Sequence, residues 1–271
     1  MPADVLIGTQ GWNYDAWIGP FYPPGSRSAD LLGIYARAFP TVEVDSTFYG
    51  PPPDAVVTGW RDRAPDAFRF ALKVPQEITH EHRLREADEA LARFLARASL
   101  LGGRLAVLLL QMPPDWGPTP ATRDDLDRFL ASLPADRRWA IEFRDPRWLE
   151  PSVLDRLRAR HVALACADGR WIRRERVLEA LAEPTAPFAY VRWMGTDRHL
   201  TEFSRVQLDR EEELETWAAA LRRLLPRVDT VYGYVNNHFQ GHGPASARAI
   251  QRLLGAARVE PAELRTQGEL F

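Results

Sequence analysis

The chain has 271 residues, 45% of them hydrophobic and 27% charged, with a formal net charge of −2. That composition can fill a large core without disulfide or metal staples, and its near-neutral balance excludes a global field pulling the protein onto nucleic acid or anionic lipid. No apolar run approaches the roughly 20 residues of a membrane span, and Met1-Pro-Ala-Asp4 lacks the basic region and cleavage site of a secretory leader, so a cytoplasmic protein is expected.

Taken in order, the chain repeats one unit, a short run of β-forming residues followed by helical spacing. The first run is Val5–Thr9, followed by Gly11-Trp12, a Pro/Gly-rich loop, and Leu31, Leu32, Ile34, Tyr35 and Phe39 at helical intervals. The second is Thr41–Thr47, with Val56, Val57 and Trp60 on a helical face after it; the third is Arg69–Lys73. Ala87 to Leu101 predicts a strong helix, closed by Gly102-Gly103. Leu105–Gln111 and Trp139–Arg144 are the fourth and fifth runs, with a helix around Leu126, Phe129 and Leu130 between them and another around Val153, Leu154 and Leu157 after. The sixth run ends at Asp168, the seventh is Phe188–Trp193, a long amphipathic helix spans about Arg210 to Leu225, the eighth run is Thr230–Asn237, and Pro244 opens a last helix to about Leu254.

Eight alternating units imply parallel strands with helical cover and suit a closed (β/α)₈ TIM barrel over residues 1–271 as one α/β domain. An open doubly wound sheet would ordinarily carry a Gly-rich phosphate turn, and neither GxGxxG nor GxxxxGK[ST] occurs. Cys166, alone among apolar neighbours, reads as a packed small side chain rather than a nucleophile.

The strand ends collect most of the polar residues found in apolar company: Thr9, Glu43, Asp45, Lys73, Gln111, Glu142, Arg144, Asp168, Arg192, Asn236, Asn237 and His238. Lys73 is the only lysine among 35 basic residues. Arginine cannot be deprotonated in a protein, whereas a buried lysine can work as base, acid or nucleophile. Alternation puts Glu43 with Asp45, Glu142 with Arg144, and Arg69, Ala71 and Lys73 on the faces opposite their apolar neighbours, and so toward the barrel interior. Buried charges of mixed sign must pair, for instance Glu43 with Arg144. Such a plug is expensive to desolvate and is weak evidence of stability, so several at one end point to a site.

Gly8-Thr-Gln-Gly-Trp12, Val42-Glu-Val-Asp-Ser-Thr-Phe-Tyr49, Phe70-Ala-Leu-Lys-Val-Pro75, Leu110-Gln-Met-Pro-Pro114, Glu142-Phe-Arg144 with Trp148, Tyr190-Val-Arg192, and Val235-Asn-Asn-His238 running to Gly241-His-Gly-Pro-Ala245 together resemble the YecE-like family, domain of unknown function seventy-two. The resemblance implies a (β/α)₈ barrel and no particular reaction. Three positions depart from the family pattern: Asp45 stands where Asn is usual, and Asp145 and Met194 where His is usual. Two missing imidazoles weaken the case for a His-dependent relay or metal site.

Three functions fit these residues. The first is an enzyme acting on a small anionic ligand without a resident cofactor. Lys73, Glu142 and Glu43 would supply acid–base chemistry, Arg144 and Arg192 would bind carboxylate or phosphate, and Asn236 and Asn237 would orient hydroxyls. Trp12, Tyr49 and Trp193 would wall the pocket, with Thr9, Asp45, Gln111, Asp168 and His238 completing it; His80 and His82 carry a weaker signal for a lid. The second is a hydrolase or nuclease holding a divalent metal through Glu43, Asp168, His238 and His242, although the glycines around His242 place that pair in a loop. The third is a binding protein. Residues 266–271 read as an exposed tail in which Gln267, Leu270 and Phe271 resemble the peptide that docks partners on the bacterial sliding clamp, or as a tail folded back on the barrel. Arg173-Arg174 and Arg222-Arg223 read as solvated helix faces.

Overall fold

A computed structural model describes residues 2–196 and 199–256. Eight parallel strands close a barrel in sequence order: β1 (Asp4–Gln10), β2 (Thr41–Val44), β3 (Arg69–Lys73), β4 (Leu105–Gln111), β5 (Trp139–Glu142), β6 (Ala163–Gly169), β7 (Phe188–Gly195) and β8 (Thr230–Val235). β8 returns to β1 in register from Asp4–Thr230 to Thr9–Val235. Around them run α1 (Leu31–Ala38), α2 (Asp54–Arg63), α3 (Asp88–Ala98), α4 (Pro120–Ser132), α5 (Pro151–Ala159), α6 (Arg174–Leu181), α7 (Glu211–Leu224) and α8 (Gly243–Leu254). The expected TIM barrel is therefore the observed fold. Among the described residues no helix is long and apolar enough to cross a membrane.

Local chemistry accounts for the element ends. Thr119 and Thr122 cap α4 reciprocally, with Pro120 in its first turn where a missing N–H is harmless. Glu211, Glu212 and Glu213 open α7 and Arg222 and Arg223 close it, matching its dipole. The helix expected over 87–101 tightens after Ala98 into a 3₁₀ stretch, and Gly102 turns the chain with φ 57°. β2, β5 and β8 end two or three residues sooner than the apolar runs suggested, so Asp45, Arg144 and Asn236 lie just beyond the ladders. The helix α6, which apolar spacing did not single out, covers β6.

Strand alternation sorts the core into two layers. The outer layer lies between strands and helices and includes Ile7, Val42, Phe70, Leu108, Ile141, Cys166, Val191 and Val231. The inner layer fills the barrel with Ala71, Val107, Leu109, Ala140, Ala163, Ala165, Phe188, Tyr190, Tyr232 and Tyr234. Large aromatics from β7 and β8 face alanines from β3, β5 and β6, so bulk on one wall is matched by its absence on the other. The Tyr190 and Tyr234 rings stand 5.1 Å apart, and the Tyr234 hydroxyl lies 2.9 Å from that of Thr41. Gly8 permits β1 to approach β2: a Cβ there would lie 1.9 Å from the Thr41 carbonyl oxygen.

Candidate functional site

Above the tyrosines the interior turns ionic. β2 delivers Glu43, β5 Glu142 and β7 Arg192, all almost fully buried. Arg192 lies between the two carboxylates. Its Nη2 donates to Glu43 Oε1 at 2.7 Å, its Nε to Glu43 Oε2 at 3.0 Å, and its Nη1 to Glu142 Oε2. Tyr190, two residues earlier on the same face, donates its hydroxyl to Glu43 Oε2 at 2.6 Å. Burial alone would lower the Arg192 pKa, but Glu43 and Glu142 reverse this and hold the guanidinium charged. Burial raises Glu43 to about 7 against the opposing pull of Arg192. Burial also acts to raise Glu142, but Arg192 and Arg144 outweigh it and keep this carboxyl below its ordinary value.

The rim above this floor is more open. Arg144 follows β5; its Nε donates to Glu142 at 3.2 Å and its Nη2 to Gln111 at 2.7 Å. Phe143 points the other way, into a stack with Trp116 and Trp148 that fixes the turn presenting Arg144. Lys73, at the end of β3, holds its Nζ 3.7 Å from the centroid of the Phe48 ring, and among the described residues no carboxylate forms an ion pair with it. Burial and then Arg192 push its pKa down to about 8, although Asp45, Glu142 and Glu43 pull the other way. Asp45 is 38% exposed and 3.6 Å from Arg192, and its Oδ1 has no hydrogen-bond partner. Just after β8, Asn236 donates to Gln10 at 2.7 Å and accepts from the His238 backbone N–H at 2.8 Å. A cleft with about 680 Å³ of atom-free space, open solvent at its mouth included, touches Glu142, Arg144, Met194, Asn236 and His238.

Lys73, Glu43, Glu142, Asp45, Gln111, Arg144, Arg192, Asn236 and His238 thus gather at one end of the barrel, as expected. Arg192 nevertheless lies beneath the site, its donors already engaged by two carboxylates, so direct anion binding by Arg192 is corrected. The expected pairing of Glu43 with Arg144 is also replaced: Arg192 takes Glu43, and Arg144 takes Glu142.

Other expected members face elsewhere. Thr9 points to the outer layer and meets the Tyr35 hydroxyl at 2.8 Å. Asp168 lies outside the wall, accepting from Trp217 Nε1 at 2.6 Å and Arg174 Nε at 2.9 Å, so Arg174 is an ion-pair partner rather than a solvated side chain. Trp193 is fully buried against Trp217. Trp12 packs on Trp60 and Phe70, Tyr49 is 79% exposed, and neither lines the cleft beside Arg144. Asn237 accepts from Trp17 Nε1 and the Gly243 N–H, tying the loop after β1 to α8.

The alternative metal set does not converge. Asp168 is outside the barrel wall, and the His242 Nδ1 lies 2.8 Å from the Phe203 carbonyl oxygen. Among the described residues no three carboxylate, imidazole or thiol groups come together as a metal ion would require. Gln267, Leu270 and Phe271 lie outside the described residues.

Three neighbours of the site escaped the sequence reading, and a fourth was weighed for another role. Gln10 and Tyr190 occupy inward positions by plain alternation in β1 and β7. Tyr14 donates to the Gln10 carbonyl at 3.1 Å and is raised to about 12, first by burial and then by Asp45 and Glu43. His80, weighed only as part of a lid, stands edge-on to Phe48 at 4.9 Å, and burial and then Lys73 lower it to about 4.

The family described as "Protein of unknown function DUF72" matches residues 6–268. The chain is 34% identical to the UPF0759 protein YecE of Escherichia coli K12 over 144 residues, a match spanning 53% of this chain and half the length of that relative. It is 26% identical to the UPF0759 protein YunF of Bacillus subtilis 168, over 92% of this chain and 94% of the other. Among solved structures, a DUF72 family protein from Thermotoga maritima superposes with TM-score 0.79 at 24% identity, covering 93% of this chain and 99% of its own. One from Enterococcus faecalis superposes with TM-score 0.72 at 21% identity, covering 94% and 97%. These two likenesses establish the fold.

Proposed function

The chain belongs to the DUF72 family, and for this member we propose an enzyme that binds a small carboxylate- or phosphate-bearing ligand at the barrel mouth and moves a proton on it. The observation that carries this reading is Lys73. Among the described residues it is an amine without an ion-pair partner, held over Phe48 beside a densely paired set of charges, with a pKa brought down to about 8 by burial and Arg192. A group titrating near the working pH can both take and give a proton. Arg144 offers the ligand a positive charge, and Asn236, bonded to Gln10, and His238 border the same opening. Glu142 is a fixed negative charge beneath them, and Glu43 is a proton store held by Arg192 and Tyr190.

The test follows exchange of carbon-bound hydrogen for deuterium in heavy water, using a panel of small keto acids and sugar phosphates. Exchange on at least one compound, abolished in Lys73→Met and weakened in Arg144→Gln, is expected. Exchange that survives Lys73→Met would overturn the assignment, and saturable anion binding without exchange across the panel would make this a binding protein.

A further inference from the structure

The cleft beside Arg144 does not stop at the barrel lumen. β5 and β6 pair only at Ala140–Ala163 and Ile141–Leu164, and above those rungs no further pairing joins them. The cleft enters through this gap. Its walls include Ala165 from the inner layer and Leu164 and Cys166 from the outer layer, and then Leu149, Val177 and Ala180. It therefore passes through the barrel wall, from the charged mouth to an apolar space beneath α5 and α6. β6 makes room on the inner side with Ala163, Ala165 and Ala167. The inner end is apolar enough that burial alone pushes the Cys166 thiol up to about 12. The entrance is polar, with Arg144 5.6 Å from the Trp171 ring centroid and with Asn236 and His238 opposite. Glu142, the carboxylate at the entrance, is already bonded to Arg144 and Arg192.

We propose that the ligand is a small acid with a short apolar tail, its anionic head at Arg144 and its tail threaded between β5 and β6 toward Val177 and Ala180. This deepens the proposed function and rests on it for the head group only. A slot lined by aliphatic side chains rewards each methylene that leaves water, by about fourfold in affinity, while a paired carboxylate at its entrance does not repel the head.

Calorimetry with straight-chain carboxylates from acetate to octanoate tests the slot. Affinity should rise about fourfold per added methylene over the first few carbons and then level off. Ala180→Phe, which fills the inner end, should abolish the gradient while leaving acetate binding unchanged. Val177→Ala, a milder change that keeps the protein folded if the first does not, should move the plateau to longer chains. Affinity independent of chain length in the unmodified protein, or a gradient and plateau unmoved by both substitutions, would overturn the proposal. A series of 1-alkanols separates this proposal from the reading on which it rests. Failure of acetate and phosphate to bind, alongside length-dependent alkanol binding sensitive to Ala180→Phe, would remove the anion site and retain the slot.

Discussion

The floor and the rim of the barrel mouth use the same residue types differently. On the floor, Arg192 has Glu43 on one side and Glu142 on the other, Tyr190 completes Glu43, and all are almost fully buried. On the rim, among the described residues, Lys73 meets the face of Phe48 without an ion-pair partner, Asp45 keeps an oxygen without a hydrogen-bond partner, and Arg144 is partly exposed. A buried ion network whose members are all engaged fixes geometry, since removing one partner leaves uncompensated charge. A group with unfilled bonding capacity at a solvent-reachable mouth can fill it with a ligand. The floor should therefore respond to substitution in stability, and the rim in chemistry.

The most damaging substitution should be Arg192→Met. It strands two buried carboxylates and should cost about 3–5 kcal/mol, read from urea unfolding; a loss under about 1 kcal/mol would erase the distinction between floor and rim. Next is the pH response of Glu43. Its folded pKa, raised by burial to about 7 from 4.5, exceeds its unfolded value, so the stability contributed by its protonated form is full below about 4.5 and lost as pH rises through about 7. Relative to Glu43→Gln, the unmodified protein should lose on the order of 3 kcal/mol across that window, and parallel curves would contradict it. Tyr190→Phe removes one buried hydrogen bond to a carboxylate and should cost roughly 1.5 kcal/mol, with the Glu43 transition moving further upward. Lys73→Met should be the gentlest, neutral to slightly stabilising and within about 1 kcal/mol near pH 7, because it removes a partly desolvated charge that has no ion-pair partner among the described residues. A large destabilisation there would make Lys73 part of the floor.

The same contrast marks what could be read from the chain. Eight apolar runs with helical spacing between them were enough for the barrel, and alternation applied to β2, β3 and β5 oriented Glu43, Asp45, Lys73, Glu142 and Arg144 correctly. Where residues were chosen for proximity to a strand end instead, the face was wrong. Thr9 stands beside the inward Gln10, Asp168 beside the inward Ala167, Trp193 beside the inward Arg192, and Asn237 beside the inward Asn236. A one-residue step in a strand reverses the side-chain direction, so alternation in β1, β6, β7 and β8 held the answer. Other features were not in any local pattern. Which arginine takes Glu43 depends on how strands from opposite sides of the barrel meet across the lumen. The opening between β5 and β6 depends on where two strands cease to pair. The nearness of His80 to Lys73 arises from a π-helical turn, Glu77–Glu81, with no periodic signature.

Because Lys73 is the only lysine in the chain, labelling with ¹³C-lysine gives one ε-methylene signal, and its pH titration tests the central claim directly. The midpoint should fall near 8 and rise when acetate or phosphate is added, since an anion at the rim favours the ammonium form. A midpoint at the ordinary lysine value, unmoved by either anion, would contradict the account.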